Sequence, residues 1–376
     1  MIITEIRVTP MMLPLKTPYV WSQGIEDVFC VNLIELVGED GHVGIGETTT
    51  APDAAAQAMV LRKIGRRFVG RSVFEAAQIM AEAYRGDFLV FGGNMPRYAN
   101  QLMCGFDMAA LDLQGQATGR PVWDLLGGAV RDHVSYFYFL QGESIEALVA
   151  DARVAVAQGH PIIYLKVGID PDRDVAAVKA VRDAIGATRL RLDANEAWDP
   201  AMALRMITRL APCDIEYIEQ PTASTSLEAL GQVTRQSPIP IGADQSVFTL
   251  NEVYRAVYGG HAHMIAVGPR EIGGLRPMIK AAGIAEAAGL KLCIHSSMTT
   301  AITTVAEHHV GRVIPNLDDG NQVMWQLLQD SVLDGPDVAP VKGRLALEGK
   351  PGLGLSLNRD VIAQAAERFQ NRDQTI

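Results

Sequence analysis

LRLDANEAW (190–198), IEYIEQP (215–221) and IPIGADQS (239–246) are three apolar runs, each closed by an acidic residue: Asp193, Glu219 and Asp244. The acids stand 26 and 25 residues apart, the length of one strand, one helix and two loops. In a barrel of repeated βα units the residues that close the strands point into one mouth, so this period brings three carboxylates together. Any one of them alone reads as a helix cap or a loop acid. Three in phase would repel one another unless a divalent cation joined them, and Mg²⁺, which keeps positions open for water and substrate, is the natural choice.

The same step continues in both directions. Lys166 closes HPIIYLKVG (160–168), 27 residues before Asp193, and His295 in LKLCIHSS (290–297) lies 51 residues after Asp244, two units on. A lone strand-end lysine is usually a surface residue, and a lone histidine a core group. In phase with the acids, both become candidates for catalysis.

From Val134 onward, runs that read as strands alternate with Ala-rich helical segments that often end in Gly. The strands are VSYFYFL, PIIYLKV, LRLDA, IEYIE, IPIGA, HMIAV, LKLCIH and RVIPN, which predicts a TIM-type (β/α) barrel of seven to eight units. Ahead of it, ITEIRVTPMMLP and VFCVNLIELVGEDGHVGIGET read as antiparallel strands with a hairpin at Gly38–Gly41, followed by helical segments. The expected division is an α+β capping domain at 1–130, a barrel at 131–340, and a segment at 341–376 that returns to the cap.

A formal charge of −10 and a pI near 5.3 argue against nucleic acid or an anionic membrane as partner. No run approaches the roughly 18–20 apolar residues of a membrane span, and the first residues lack the pattern of a secretory signal. Cys30, Cys104, Cys213 and Cys293 have no metal-ligand spacing and read as reduced thiols of a cytoplasmic protein.

Taken together, GIGET with Glu47, ALDLQGQATGRPVWDLLGG (110–128), YLKVG, LDANEAW, EYIEQP, IGADQS, REIGGL with Gly273 and Gly274, and PGLGL resemble the enolase superfamily. Within it the chain is most similar to the mandelate racemase and muconate lactonizing enzyme branch. The resemblance implies one Mg²⁺ per subunit, held by Asp193, Glu219 and Asp244 and binding the carboxylate of a small substrate. Lys166 would remove the α-proton, giving a metal-stabilised enediolate, the chemistry established for that superfamily. The outcome would be racemisation, epimerisation or cycloisomerisation, or dehydration of an acid sugar, with His295 delivering a proton. A homo-oligomer is expected by analogy.

Two departures from the family pattern stand out. Tyr164 replaces the first lysine of the KxK motif, offering a hydrogen bond without the charge. On the sixth strand, where relatives carry a lysine or an aspartate that pairs with the histidine, this chain has Gly268, which leaves His295 an unpaired imidazole. Tyr19, Trp21 and Ser22, in a predicted loop, and Thr48, Thr49 and Thr50 are candidates to line the pocket. Asn195 would support the metal or a lysine, and Asp318 and Asp319 would bind a substrate hydroxyl or amine, or cap a turn. A Schiff-base aldolase using Lys166 and a catalytically silent metal or carboxylate binder are the competing readings.

Overall fold

The computed structural model describes residues 1–49, 53–89, 95–334 and 338–372; Thr50 lies outside them. The N-terminal part is an antiparallel sheet of β1 (Ile3–Trp21), β2 (Gly24–Gly38) and β3 (Val43–Thr48). Its turn at Gly38–Gly41 is the hairpin expected from the sequence, with Gly41 at φ +87°. Alternation along β2 sends neighbouring residues to opposite faces. Leu33 joins a core with Phe137, Phe139 and Tyr164, while Ile34 packs with Leu61, Phe68 and Phe106 on the helical side. The sheet therefore has helices on one face and the barrel residues Phe137, Phe139 and Tyr164 on the other. Asp53 caps the helix Ala54–Gly65 by accepting from Ala56 N at 2.9 Å, and Gly119 at φ +65° ends the long helix Pro96–Thr118.

Next come β4 (Val134–Ser135), β5 (Tyr138–Phe139), β6 (Ile162–Lys166), β7 (Arg189–Asp193), β8 (Tyr217–Glu219), β9 (Ile241–Ala243), β10 (Met264–Ala266) and β11 (Leu292–Cys293). Strands β5 to β11 form a curled parallel sheet of seven strands in chain order. Helices cross between them, such as Pro171–Ile185, whose cap Asp170 accepts from Arg173 N at 2.8 Å.

Two expectations are corrected. VSYFYFL is not one strand: β4 turns away to pair antiparallel with β12 (Arg344–Leu345), and only β5 joins the barrel sheet. RVIPN is not a strand either. It is the turn after the helix Ala301–Gly311, and Pro315 has no N–H to give a ladder. The barrel closes a few residues later through the single bridges Leu292↔Leu317 and Tyr136↔Asn321. Backbone bonds such as Gln322 N to Ile294 O at 2.9 Å support this closure, and side chains add to it: Asn321 Oδ1 accepts from Ile294 N at 2.7 Å and Gln322 Oε1 from Ser296 N at 2.8 Å. Beyond β12, the helix Arg359–Asn371 packs against β1, with Arg359 2.7 Å from Glu35.

All four cysteines are free thiols. Among the described residues no helix is long and apolar enough to cross a membrane.

Candidate active site

Parallel pairing puts the strand ends side by side. Lys166 is opposite Asp193, Asp193 opposite Glu219, and Glu219 opposite Gly242, two residues before Asp244 and on its face. The three carboxylates are buried. Asp193, Glu219 and His295 each offer a ligand atom, all within 4.8 Å of one another. The His295 imidazole stands between the other two acids, its Nε2 2.9 Å from Glu219 Oε1 and its Nδ1 3.5 Å from Asp244 Oδ1. Nε2 is a close ion-pair contact that lies off a good hydrogen-bond direction. His295 is thus not the unpaired imidazole expected from the absence of a sixth-strand partner, because the acids of strands β8 and β9 take that place.

Lys166 Nζ lies 2.5 Å from Asp193 Oδ2 and 2.6 Å from Asn195 Oδ1. Asn195 N in turn donates to Asp193 Oδ1 at 2.8 Å, so Asn195 orients both the lysine and the acid. The Tyr164 hydroxyl bridges Asp193 and Glu219. The rings of Tyr19, Phe139 and Tyr164 stand 5.6–6.0 Å from Lys166 Nζ and wall it from water.

Burial pulls the Lys166 ammonium down, but the adjacent Asp193 outweighs it and leaves the group above its ordinary value. Burial likewise works against the His295 imidazolium, yet Asp244 and Glu219 raise it to about 10. Burial pushes the Asp244 carboxyl well above the usual range, with His295 opposing the rise. Fully ionised, the three buried carboxylates would outnumber the two cations facing them, and that excess of negative charge is costly in a low-dielectric site. A hard donor set with that excess fits a divalent cation of the Mg²⁺ type.

These groups open into a cavity of about 520 Å³. Tyr19, Trp21 and Thr49 line it, and Tyr19 and Trp21 belong to β1 near the tip of the β1–β2 hairpin and not to a loop. Ser22 Oγ ties that tip to Asn195 O at 2.9 Å. Thr48 points elsewhere, donating to Gln101 O. Glu47 is buried and accepts from Thr300 N at 2.9 Å, Thr300 Oγ1 at 2.8 Å and Thr303 N at 3.1 Å, which fixes the helix that follows His295.

The role expected for Asp318 and Asp319 is corrected. Both pair with arginines that point inward from β7: Asp318 with Arg191 at 2.6 Å, and Asp319 with Arg189 at 2.7 Å. Arg189 opens β7 and Asp193 closes it, so these acids sit toward the opposite end of the strands from the cavity. The sequence reading also missed Arg270 and Gln245, which line the cavity just beyond β10 and β9.

A curled parallel sheet with acids at its strand ends, a lysine and a histidine beside them and a sheet-and-helix layer over the mouth is the arrangement of a barrel enzyme, whose site lies at the C-terminal ends of the strands. Residues 3–127 match the mandelate racemase / muconate lactonizing enzyme N-terminal domain, and residues 147–361 match the family described as enolase C-terminal domain-like. The chain belongs to the mandelate racemase/muconate lactonizing enzyme family of the enolase superfamily. It is 30% identical over 371 residues to muconate cycloisomerase 1 of Rhodococcus opacus, covering 96% of this chain and 97% of that protein. It is 29% identical to a probable glucarate dehydratase of Streptomyces coelicolor, covering 100% of this chain and 93% of that one. Among solved structures, the dipeptide epimerase of Enterococcus faecalis, complexed with Mg and the dipeptide L-Leu-L-Tyr, superimposes with a TM-score of 0.86 at 27% identity, covering 95% of this chain and 100% of that one. The relatives are enzymes, and their names cover cycloisomerase, epimerase and dehydratase.

Proposed function

We propose that this protein removes the α-proton of a small carboxylate substrate in a Mg²⁺-dependent reaction that ends in isomerisation or in dehydration of an acid sugar. The observation that carries this reading is the cavity itself, in which Lys166 and His295 flank a buried cluster of three carboxylates. Asp193, Glu219 and Asp244 would hold the metal, which when bound neutralises the charge that grows on the substrate carboxylate.

Lys166 is the base. Asn195 and Asp193 fix its amine in place, and a cation nearby favours the neutral form that can accept the proton. His295 is the acid. Its imidazole stands between Glu219 and Asp244, whose negative charge favours the protonated form that has a proton to give. If the substrate carries a β-hydroxyl, that proton leaves with it as water and a double bond forms. If it does not, the proton returns to carbon from the other face. Gly268 presents no side chain, so the double-lysine arrangement of some relatives is not available here.

A Schiff-base role for Lys166 leaves the buried carboxylates without a task, and borohydride with a carbonyl substrate should trap nothing. Residues 1–130 and 341–376 are read as the cap that selects substrate over the barrel at 131–340, in a cytoplasmic homo-oligomer. The test is a screen of acid sugars, hydroxy acids and amino-acid derivatives. Turnover should vanish with EDTA and return with Mg²⁺; turnover that survives EDTA would contradict the reading.

A further inference from the structure

The sixth barrel unit supplies the cavity with a cation that the reaction above leaves unused. A Cβ added at Gly268 would stand 2.0 Å from His295 O and 2.6 Å from Glu271 Oε2, so a side chain there would displace the backbone beside His295. The chain turns at once into the helix Pro269–Ile272, and Arg270 becomes the residue of this turn that lines the cavity with Asp244 and His295.

Arg270 is held ready. Glu271 is buried; its Oε2 accepts from Gly268 N at 2.8 Å, and its Oε1 accepts from Arg270 Nε at 2.7 Å and sits 2.5 Å from Nη2. The guanidinium lies 5.8 Å over the Phe248 ring. Nη1 has no protein partner among the described residues. Lys166 and His295 are engaged by the carboxylate cluster, so Arg270 is the cavity-lining cation outside it. Two further cavity residues have buried atoms without a partner among the described residues: Gln245 Oε1, an acceptor, and Trp21 Nε1, a donor. Buried polar atoms left unpaired are costly, and a hydroxylated ligand would satisfy them.

We propose that Arg270 binds a second carboxylate of the substrate, distal to the one at the metal site, so that the enzyme prefers hydroxy diacids to monoacids. A fixed planar guanidinium with free N–H groups suits a carboxylate better than a flexible ammonium would. The inference rests on the metal-assisted reading for the first carboxylate.

The test is calorimetric titration of the full chain in Mg²⁺ with lactate, tartrate and galactarate. In the wild type at least one diacid should bind ten-fold or more tightly than lactate. Arg270→Met should erase that gap while leaving lactate affinity as it was, and Arg270→Lys should restore part of it. A wild type without the gap, or a gap that survives Arg270→Met, overturns the role of Arg270 and leaves the metal site standing. Lactate binding that is indifferent to Mg²⁺ removes the metal reading and this inference with it.

Discussion

The hydroxyl of Tyr164 lies 2.7 Å from Asp193 Oδ2 and 2.9 Å from Glu219 Oε1, so one neutral group shares its single proton between two acids of the cluster. The ring is fully buried and stacks on Phe137, centroids 4.2 Å apart and 3° from parallel. Where the family motif has a lysine, this chain spaces the acids without adding a positive charge. Tyr164→Phe keeps the stack and removes the bridge. Because groups that orient metal ligands typically contribute 10–100-fold in affinity, Mg²⁺ binding should weaken by about that factor with unchanged circular dichroism. Equal affinity in calorimetry would deny Tyr164 this role.

Arg191 is fully buried, with Asp318 at 2.6 Å, Glu216 at 2.7 Å, Gly320 O at 2.6 Å and the Tyr217 ring at 4.8 Å from its guanidinium. Removing one partner of a buried ion pair costs about 3–5 kcal/mol. Asp318→Ala should fall near the lower figure, since Glu216 remains, and leave KM within about twofold. Urea unfolding together with steady-state kinetics checks both. Intact stability with a large rise in KM would instead restore a substrate role for Asp318.

His308 and His309 are buried and act as acceptors, from Leu347 N and Trp123 N respectively, both at 3.3 Å. Burial pushes His308 down to about 3 and His309 to about 4. Between pH 6.5 and 4 the unfolded chain therefore binds protons that the folded chain refuses, so stability rises with pH across that window and is lost as the pH falls. Each imidazole contributes a slope of about 1.4 kcal/mol per pH unit. In urea midpoints measured from pH 4.5 to 7, His309→Gln should flatten the slope by about one proton; an unchanged slope would contradict the account.

Much of the site was legible because it obeys one rule. Asp193, Glu219 and Lys166 close neighbouring parallel strands, so spacing in sequence becomes adjacency in space. The eighth strand was misplaced because closure there runs through isolated backbone bridges and the side chains of Asn321 and Gln322, which leave no alternating apolar pattern. Asp318 and Asp319 were misread because their partners, Arg191 and Arg189, come from a strand 127 and 130 residues away. The clue was in the sequence: Arg191 precedes Asp193 by two, so it shares the inward face and needs a buried acid. The pairing of His295 with Glu219 and Asp244 does not show on the sixth strand, because both partners come from the ends of β8 and β9. Arg270 escaped notice because it lies past the strand, where strand periodicity no longer says which side chain faces the cavity.

The central claim is that Lys166 takes the α-proton and His295 returns or delivers one. The most direct measurement is α-proton exchange with D₂O, followed by proton NMR, on a carboxylate that the wild type turns over in Mg²⁺. The account predicts no exchange for Lys166→Ala, and continued exchange with turnover lost for His295→Asn. Exchange at the wild-type rate in Lys166→Ala would contradict it.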